Sequence, residues 1–411
     1  MATAAALAVI PISPVSAQTK VLRFKAVVVG DGSVVPNGVI FVDGDRIMRV
    51  MPWATDRPLP TPSGAEIIDL ARYTAIPGLI DVHTHVTYSW DPESGTDPWR
   101  QPSKTKEQLV VQAKTNLFRT LESGVTTIRD LGASRYADVA LRDSVAKGGW
   151  TGPRLFVAGW GLSKRRLSPD SSLESIRRFV KTQADSGADY IKVYGSTGSG
   201  ADVTGVETFT LSEMQAAVDA ARAAGKPIAI HSYGPDGARD AVRAGATTVE
   251  HAIDIDDATL AEMVRRGTYY VPTIDHNRYY AEYAKDFRYT PAQVAALDSF
   301  RLRNIETARR AFKAGVKFGM GSDAVFHMFG QNTRELGWYV QVGMTPAQAL
   351  ATATANGAAI LGMEKSLGKL APGYFADIVA VEGDPLADIG MVINGVKWVM
   401  KSGAVVVDKP R

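Results

Sequence analysis

The sequence predicts an α/β fold: a (β/α)8 TIM barrel with a small β-sandwich domain formed by both termini. Three observations predict it. Helix-like and strand-like segments alternate through the middle of the 411-residue chain, short β-like runs joined by Gly and Asp turns occupy both ends, and nearly every histidine stands at the end of a strand-like run.

Residues 1–17, MATAAALAVIPISPVSA, are apolar and uncharged, and Val15-Ser16-Ala17 before Gln18 has the small-residue form of a signal-peptidase site. They read as the remnant of a secretory leader without its basic start, so a periplasmic or secreted location is expected; a plain Ala-rich terminus is the alternative. The run is too short to cross a bilayer, and no other segment is spanning, so no membrane association is expected. Residues 18–76 read as the first part of the β-sandwich, with VLRFKAVVVGDG, GVIFVDGDRIMRV around its Asp43-Gly44-Asp45 turn, and AEIIDLARYTAIPG. Residues 77–366 carry the alternation expected of the barrel. There TKEQLVVQAKTNLFRTLESG leads into VTTIRDLG, SLESIRRFVKTQADSG into ADYIKVYG, LSEMQAAVDAARAAG into KPIAIHSYG, and PDGARDAVRAG into ATTVEHAID. DDATLAEMVRRG then leads into TYYVPTIDHN, and LRNIETARRAFKAG into VKFGMGSDA. Helices ending in Ala-Gly, Ser-Gly or Arg-Gly have the residue that a left-handed C-cap requires, with a buried strand next. Residues 367–411 return to the β texture in ADIVAVEGD and VKWVMKSGAVVVD.

Composition narrows the chemistry. A net charge of +3 from 46 basic and 43 acidic residues predicts no nucleic-acid partner and no anionic membrane. The absence of cysteine excludes disulfides, thiolate nucleophiles and Cys-bound zinc. Any metal must sit on His, carboxylate or modified Lys.

IPGLIDVHTHV places His83 and His85 two apart at the end of an apolar strand, where both side chains point the same way and can chelate one ion. His231 ends KPIAIH, His251 ends TTVEH, Asp323 follows VKFGMGS, and Lys192 closes ADYIK. Each alone has a bland reading: a packed core histidine, or an Asp capping the next helix. A Lys inside an apolar strand must be neutralised, paired or modified. Carbamylation by CO2 would turn it into an anionic carboxylate able to bridge two divalent cations.

The order His-x-His, Lys, His, His, Asp, together with PGLIDVHTH, DYIKVYG, IAIHSYG, TTVEHA, GSDA and LGKLAPGYFADIVAVEGDPL, resembles the metal-dependent amidohydrolase superfamily from about Val21 to Asp408. The resemblance implies one metal on His83, His85 and Asp323 and another on His231 and His251, with N6-carboxylated Lys192 and a hydroxide bridging them. It also implies Asp323 as general base and acid. Zinc suits these ligands best, although Mn and Co suit the same shell. HSYGPDGARDAVRAGATTVEHA and FGQNTRELGWYVQVGMTPAQALATATANGAAILG resemble the Xaa-Pro and Xaa-Arg/Lys dipeptidase (carboxypeptidase) and ochratoxin-hydrolysing amidase branch. That implies amide cleavage in a small-molecule substrate, an N-acyl amino acid or dipeptide with a free carboxylate. A lactonase or esterase, or a cyclic-amide hydrolase, would use the same site. A deaminase would not need the strand-end Lys, and a non-catalytic scaffold would have lost ligands.

One departure stands out. Many members of that branch have Thr-Gly-Gly-His after the third barrel strand, where this chain reads VAGWGLSKRRLSPD. Lys164, Arg165 and Arg166 there either bind an anionic substrate end or form a solvated loop. His276 and Arg278 follow TYYVPTID and would overhang the mouth, His276 bonding the scissile carbonyl as a catalytic group and Arg278 forking onto a substrate carboxylate. A loop stacked with Tyr279 and Tyr280 is the alternative. Tyr194, two residues beyond Lys192, either donates to a developing oxyanion and touches substrate or packs the barrel rim. His327 is a further substrate-side candidate, or a loop histidine without a role. Trp90 and Trp99 either wall the site or cover apolar surface. The apolar, aromatic GWYVQVGM segment suits an interface between identical chains as well as it suits a barrel helix, and a homo-oligomer is expected.

Overall fold

The computed structural model describes residues 19–54, 56–91, 93, 95–100, 103–167 and 169–409. The leader-like segment 1–17 lies outside the described residues. Strands β1 (Lys20–Val28), β2 (Val34–Pro36), β3 (Gly38–Asp43), β4 (Arg46–Pro52) and β5 (Glu66–Pro77) come first. β6 (Leu79–Thr84), β7 (Val125–Asp130), β8 (Arg154–Val157), β9 (Ile191–Tyr194), β10 (Ile228–Ser232), β11 (Thr248–His251) and β12 (Tyr269–Val271) alternate with helices. β13 (Ile378–Val381), β14 (Val396–Lys401) and β15 (Ala404–Asp408) close the chain.

The two ends of the chain share one mixed sheet in the order β15-β14-β13-β5-β1-β3-β4, with β2 on β1. This differs from two stacked sheets. A continuous sheet can still bury its apolar face by rolling: an antiparallel bridge from Arg46 to Phe375 joins the β4 edge to the entry of β13. Leu22, Phe24, Ile40, Val42, Ile378 and Trp398, from both halves of that order, pack into one buried cluster.

The middle of the chain forms two parallel sheets, β6-β7-β8 and β12-β11-β10-β9. Single parallel bridges link them and a further segment: Leu162 to Val193, Tyr270 to Phe318, and Thr84 to Ala324. These strands read as apolar runs because both faces are covered; all six residues of β6 and of β7 are buried. The intervening helices start and stop where their chemistry dictates. Ser172 and Asp256 cap helices by accepting from the backbone N–H three residues on, and Gly245, Gly267 and Gly315 end helices at φ of 96°, 72° and 86°. No helix among the described residues is long and apolar enough to cross a membrane.

One element differs from its expectation in a way that matters for the site. TYYVPTID does not continue as a strand to Asp275: β12 stops at Val271, before Pro272, and a helix, Ile274–Glu282, begins after Thr273 in the left-handed region at φ 50°.

Candidate metal centre

His83 near the end of β6 and His85 just beyond it line the same cavity, their ring centroids 5.5 Å apart. The segment beyond Val316 runs alongside, where the Asp323 N–H donates to the His83 carbonyl at 2.7 Å and sets the carboxylate opposite both rings. Asp323 Oδ1 lies 3.5 Å from His83 Nε2 and 3.3 Å from His85 Nε2. One ligand atom from each of these three residues falls within 4.8 Å of the others, so together they could hold an ion. His251 comes next, its ring 4.9 Å from that of His83, and the His231 ring is 4.5 Å from His251. Lys192 Nζ approaches His83 Nε2 to 3.5 Å. All six residues line one cavity of about 220 Å³, together with Tyr194 and His276.

The electrostatics suit ligation. Burial, then the Lys192 charge, holds the His83 imidazolium well below its ordinary pKa, and the same two causes bring His231 down to about 3. Burial and then the His231 charge do the same to His251. These rings are therefore neutral, the form that offers a lone pair. His231 Nε2 is buried with no hydrogen-bond partner among the described residues, which is costly for a nitrogen that does not ligate an ion. Burial opposes the charged form of Asp323, but His276, His83 and His85 outweigh it and hold the carboxyl well below its usual range. Burial brings Lys192 down to about 8 against the pull of Glu250 and Asp323. Burial works against the His85 imidazolium, but its bond to Asp323 outweighs that and raises its pKa. Neutral His83, His231 and His251, an ionised carboxylate and an orphaned buried nitrogen fit a divalent metal.

A supporting layer fixes these side chains. His83 Nδ1 donates to Glu250 Oε2 at 2.8 Å, and Glu250 Oε1 accepts from Arg129 Nη2 at 3.0 Å, all fully buried. That bond directs Nε2 of His83 toward Asp323 and Lys192. His85 Nδ1 donates to the Gly132 carbonyl at 3.1 Å, and His251 Nδ1 is hydrogen-bonded to Thr273 Oγ1 at 2.7 Å. Asp81 accepts from Ser322 N, Ser322 Oγ and Asn332 Nδ2, which ties β6 to the segment carrying Asp323. Glu250, Arg129 and Thr273 carry no motif. The available signal was Glu250 itself, an acid one residue before a strand-end histidine in an otherwise apolar run. Strand alternation alone would send Glu250 and His251 to opposite faces. His251 has φ 73°, and that left-handed turn lets both residues reach His83.

His276 stands in the first turn of its helix, its Nε2 3.1 Å from Asp323 Oδ2. Tyr194 lines the cavity, and a Cβ built on Gly161 would lie 2.5 Å from its ring, so the bare Cα of Gly161 makes room for that ring. Trp99 lines the cavity as well, stacked on Tyr280 with centroids 5.6 Å apart.

Two substrate-side expectations are corrected. Arg278 does not face the cavity. Its helical position puts Asp275 and Glu282 three and four residues away; it donates to both oxygens of Asp275 at 2.8 Å, to Glu282, and to Gln331 at 3.2 Å. His327 is likewise away from the cavity, stacked on Trp90 with centroids 5.0 Å apart, so those two residues cover each other. Lys164 pairs with Glu213, while Arg165 and Arg166 are exposed.

Residues 74–406 match the amidohydrolase family. The chain is 27% identical over 353 residues to an ochratoxinase from Aspergillus niger, covering 76% of this chain and 71% of that protein. It is 24% identical over 428 residues to an imidazolonepropionase from Symbiobacterium thermophilum, covering 92% of each. Among solved structures, a Xaa-Pro dipeptidase with methionine bound in its active site superposes with a TM-score of 0.85 at 28% identity, covering 94% of this chain and 99% of that one. A prolidase complexed with N-methylphosphonate-L-proline gives 0.84 at 29%, covering 95% and 100%. With its histidines and Asp323 gathered over parallel strands and this match along most of its length, the chain belongs to the amidohydrolase family.

Proposed function

We propose that this hydrolase of carbon–nitrogen bonds is binuclear and cleaves the amide bond of an N-acyl amino acid or dipeptide with a free carboxylate. The observation that carries the reading is the convergence of His83, His85, Lys192, His231, His251 and Asp323 on one buried cavity. In this reading His83, His85 and Asp323 would hold one ion and His231 and His251 the other, with Lys192, as N6-carboxylysine, an anionic ligand available to both. Carboxylation requires a neutral amine, which burial favours at Lys192. Zinc is the preferred ion for such ligands; when bound, the ions would activate water and polarise the substrate carbonyl.

The chain's own groups do the rest. Asp323, ionised at rest, takes up a proton as the attack proceeds and delivers it to the leaving nitrogen. His276 holds that carboxylate in orientation through its 3.1 Å contact. Tyr194, kept protonated by burial that pushes it up to about 12, donates to the oxygen that gains charge. The reading also takes β6 to β12 and residues 316–324 as the eight staves of one barrel spanning 77–366, with 18–76 and 367–411 as the companion β domain. It assigns 1–17 to export into the periplasm or beyond. Amino-acid-sized ligands in the related structures, methionine and a proline phosphonate, support the substrate class.

The test is release of free amino acid from a panel of N-acyl amino acids and dipeptides by zinc-loaded protein, with and without chelator. Chelator-sensitive release is expected. The imidazolonepropionase relative supports a second reading, cyclic-amide hydrolysis by the same centre. No release from a metal-loaded protein that opens a cyclic amide, a lactone or an ester would replace the first reading with the second.

A further inference from the structure

Three segments remote from one another in the chain are tied together beside the metal cavity. Trp99 lies between β6 and the helix Lys106–Glu122, Gly200 between β9 and the helix Leu211–Ala223, and Tyr289 between the helices Ile274–Glu282 and Pro291–Ala314. The Trp99 indole N–H donates to the Tyr289 hydroxyl at 2.9 Å, and that hydroxyl donates to the Gly200 carbonyl at 2.6 Å. Ring contacts fix the indole further. It stacks on Tyr280 with centroids 5.6 Å apart and meets Phe326 edge-on at the same separation. Trp99 is nonetheless 41% exposed. A large ring that is held by a hydrogen bond and two neighbours, yet left partly uncovered, offers a ligand apolar surface without an ordering cost on binding.

That ring stands at a boundary of the site. Trp99 and Tyr88 line both the metal cavity and a side cavity of about 530 Å³. The position of the indole relative to the reacting groups follows from a series of contacts. His276 Nε2 lies 3.1 Å from Asp323, the Tyr280 ring meets the His276 ring edge-on with centroids 4.7 Å apart, and Trp99 stacks on Tyr280. The aromatic wall therefore adjoins the carboxylate that serves the leaving nitrogen. Gly200 lets the β9 loop close against this wall, since a Cβ there would run into the Tyr280 ring. An aromatic ring packed on such a wall gains a ring-to-ring attraction that a saturated ring lacks.

We propose that Trp99, held in place by Tyr289, selects a flat aromatic side chain on the departing amino acid of the substrate. The proposal rests on reading the metal cavity as an amide-cleaving site, but its test does not require cleavage. The probes are the N-methylsulfonyl derivatives of L-phenylalanine and L-cyclohexylalanine, whose sulfonamides resist hydrolysis, titrated calorimetrically into the zinc-loaded protein. The unaltered protein should bind the phenylalanine probe about three- to tenfold more tightly. In Trp99→Leu, which keeps apolar bulk and removes the ring, the two probes should bind equally. Tyr289→Phe keeps every ring and removes the hydroxyl that joins Trp99 to Gly200, so its preference should lie between those two. N-benzylsulfonyl-L-alanine and its cyclohexylmethylsulfonyl counterpart carry the same two rings on the acyl side, and the unaltered protein should not tell them apart. Equal binding of the phenylalanine and cyclohexylalanine probes by the unaltered protein, a preference that survives Trp99→Leu, or one confined to the acyl-side pair overturns the proposal. An undiminished preference in Tyr289→Phe overturns the part given to Tyr289. Hydrolysis of N-acetyl-L-phenylalanine by the same protein reports separately on the amide-cleaving reading. Aromatic selection without cleavage leaves Trp99 standing and removes that reading, and cleavage without aromatic selection does the reverse.

Discussion

Glu250 joins catalysis to stability in a single side chain. Its carboxylate holds His83 on one oxygen and neutralises buried Arg129 on the other, with all three side chains fully buried. Glu250→Gln should therefore do two things at once. Leaving Arg129 uncompensated should destabilise the fold by roughly 3–5 kcal/mol. Loosening the His83 ring should weaken metal affinity about 10–100-fold. Denaturant unfolding and metal titration of the variant measure the two effects, and a variant with unchanged metal affinity would show that Glu250 does not orient His83. Gly161 makes the complementary case, in which absence of a side chain is the feature: a Cβ there would stand 2.5 Å from Tyr194. Gly161→Ala should cost about 1–3 kcal/mol through overpacking and should lower turnover as the Tyr194 phenol is displaced.

At the scale of elements, the helix stops carry local energy separable from packing. Gly315 ends the helix Pro291–Ala314 at φ 86°, and a Cβ there would meet nothing within 4 Å. Gly315→Ala should thus lower stability by about 1 kcal/mol for purely conformational reasons, read as a small drop in melting temperature without change in activity. Such stops were legible in the sequence, because Ala-Gly and Arg-Gly before an apolar run have one sterically cheap solution. The cluster of His83, His85, His231, His251 and Asp323 was legible too, since strand ends in alternating β/α units converge on one face. Arg278 was not. A strand extended through Pro272 would carry it to the mouth, whereas a helix starting at Ile274 places Asp275 and Glu282 within its reach. Nor was Glu250, because the left-handed turn at His251 that lets both side chains face His83 is a tertiary outcome with no local sequence rule. The terminal strands were readable as β-rich, but their pairing into one rolled sheet depends on contacts such as Arg46 with Phe375, far apart in the chain.

At the scale of the molecule, buried carboxyls link stability to pH. Glu335 accepts the backbone N–H groups of Ile274 and Asp275 at 2.9 and 2.8 Å, fastening the helix that bears His276. Burial pushes its pKa from 4.5 up to about 8. The folded state therefore keeps a proton between those values that the unfolded chain has released, so this group's contribution is fully present below about 4.5 and is lost as pH rises to 8. Between pH 5 and pH 8 the melting temperature of the unaltered protein should fall relative to that of Glu335→Gln, and a constant gap would contradict the linkage.

Everything above turns on whether His83, His85 and Asp323, gathered over the parallel strands, hold metal. The most direct measurement is the metal content of zinc-loaded protein after exhaustive dialysis, taken in parallel on the unaltered chain and on His83→Ala. The unaltered chain should hold two divalent ions and His83→Ala at least one fewer. Protein that retains no stoichiometric metal, or a His83→Ala variant with undiminished content, would contradict it.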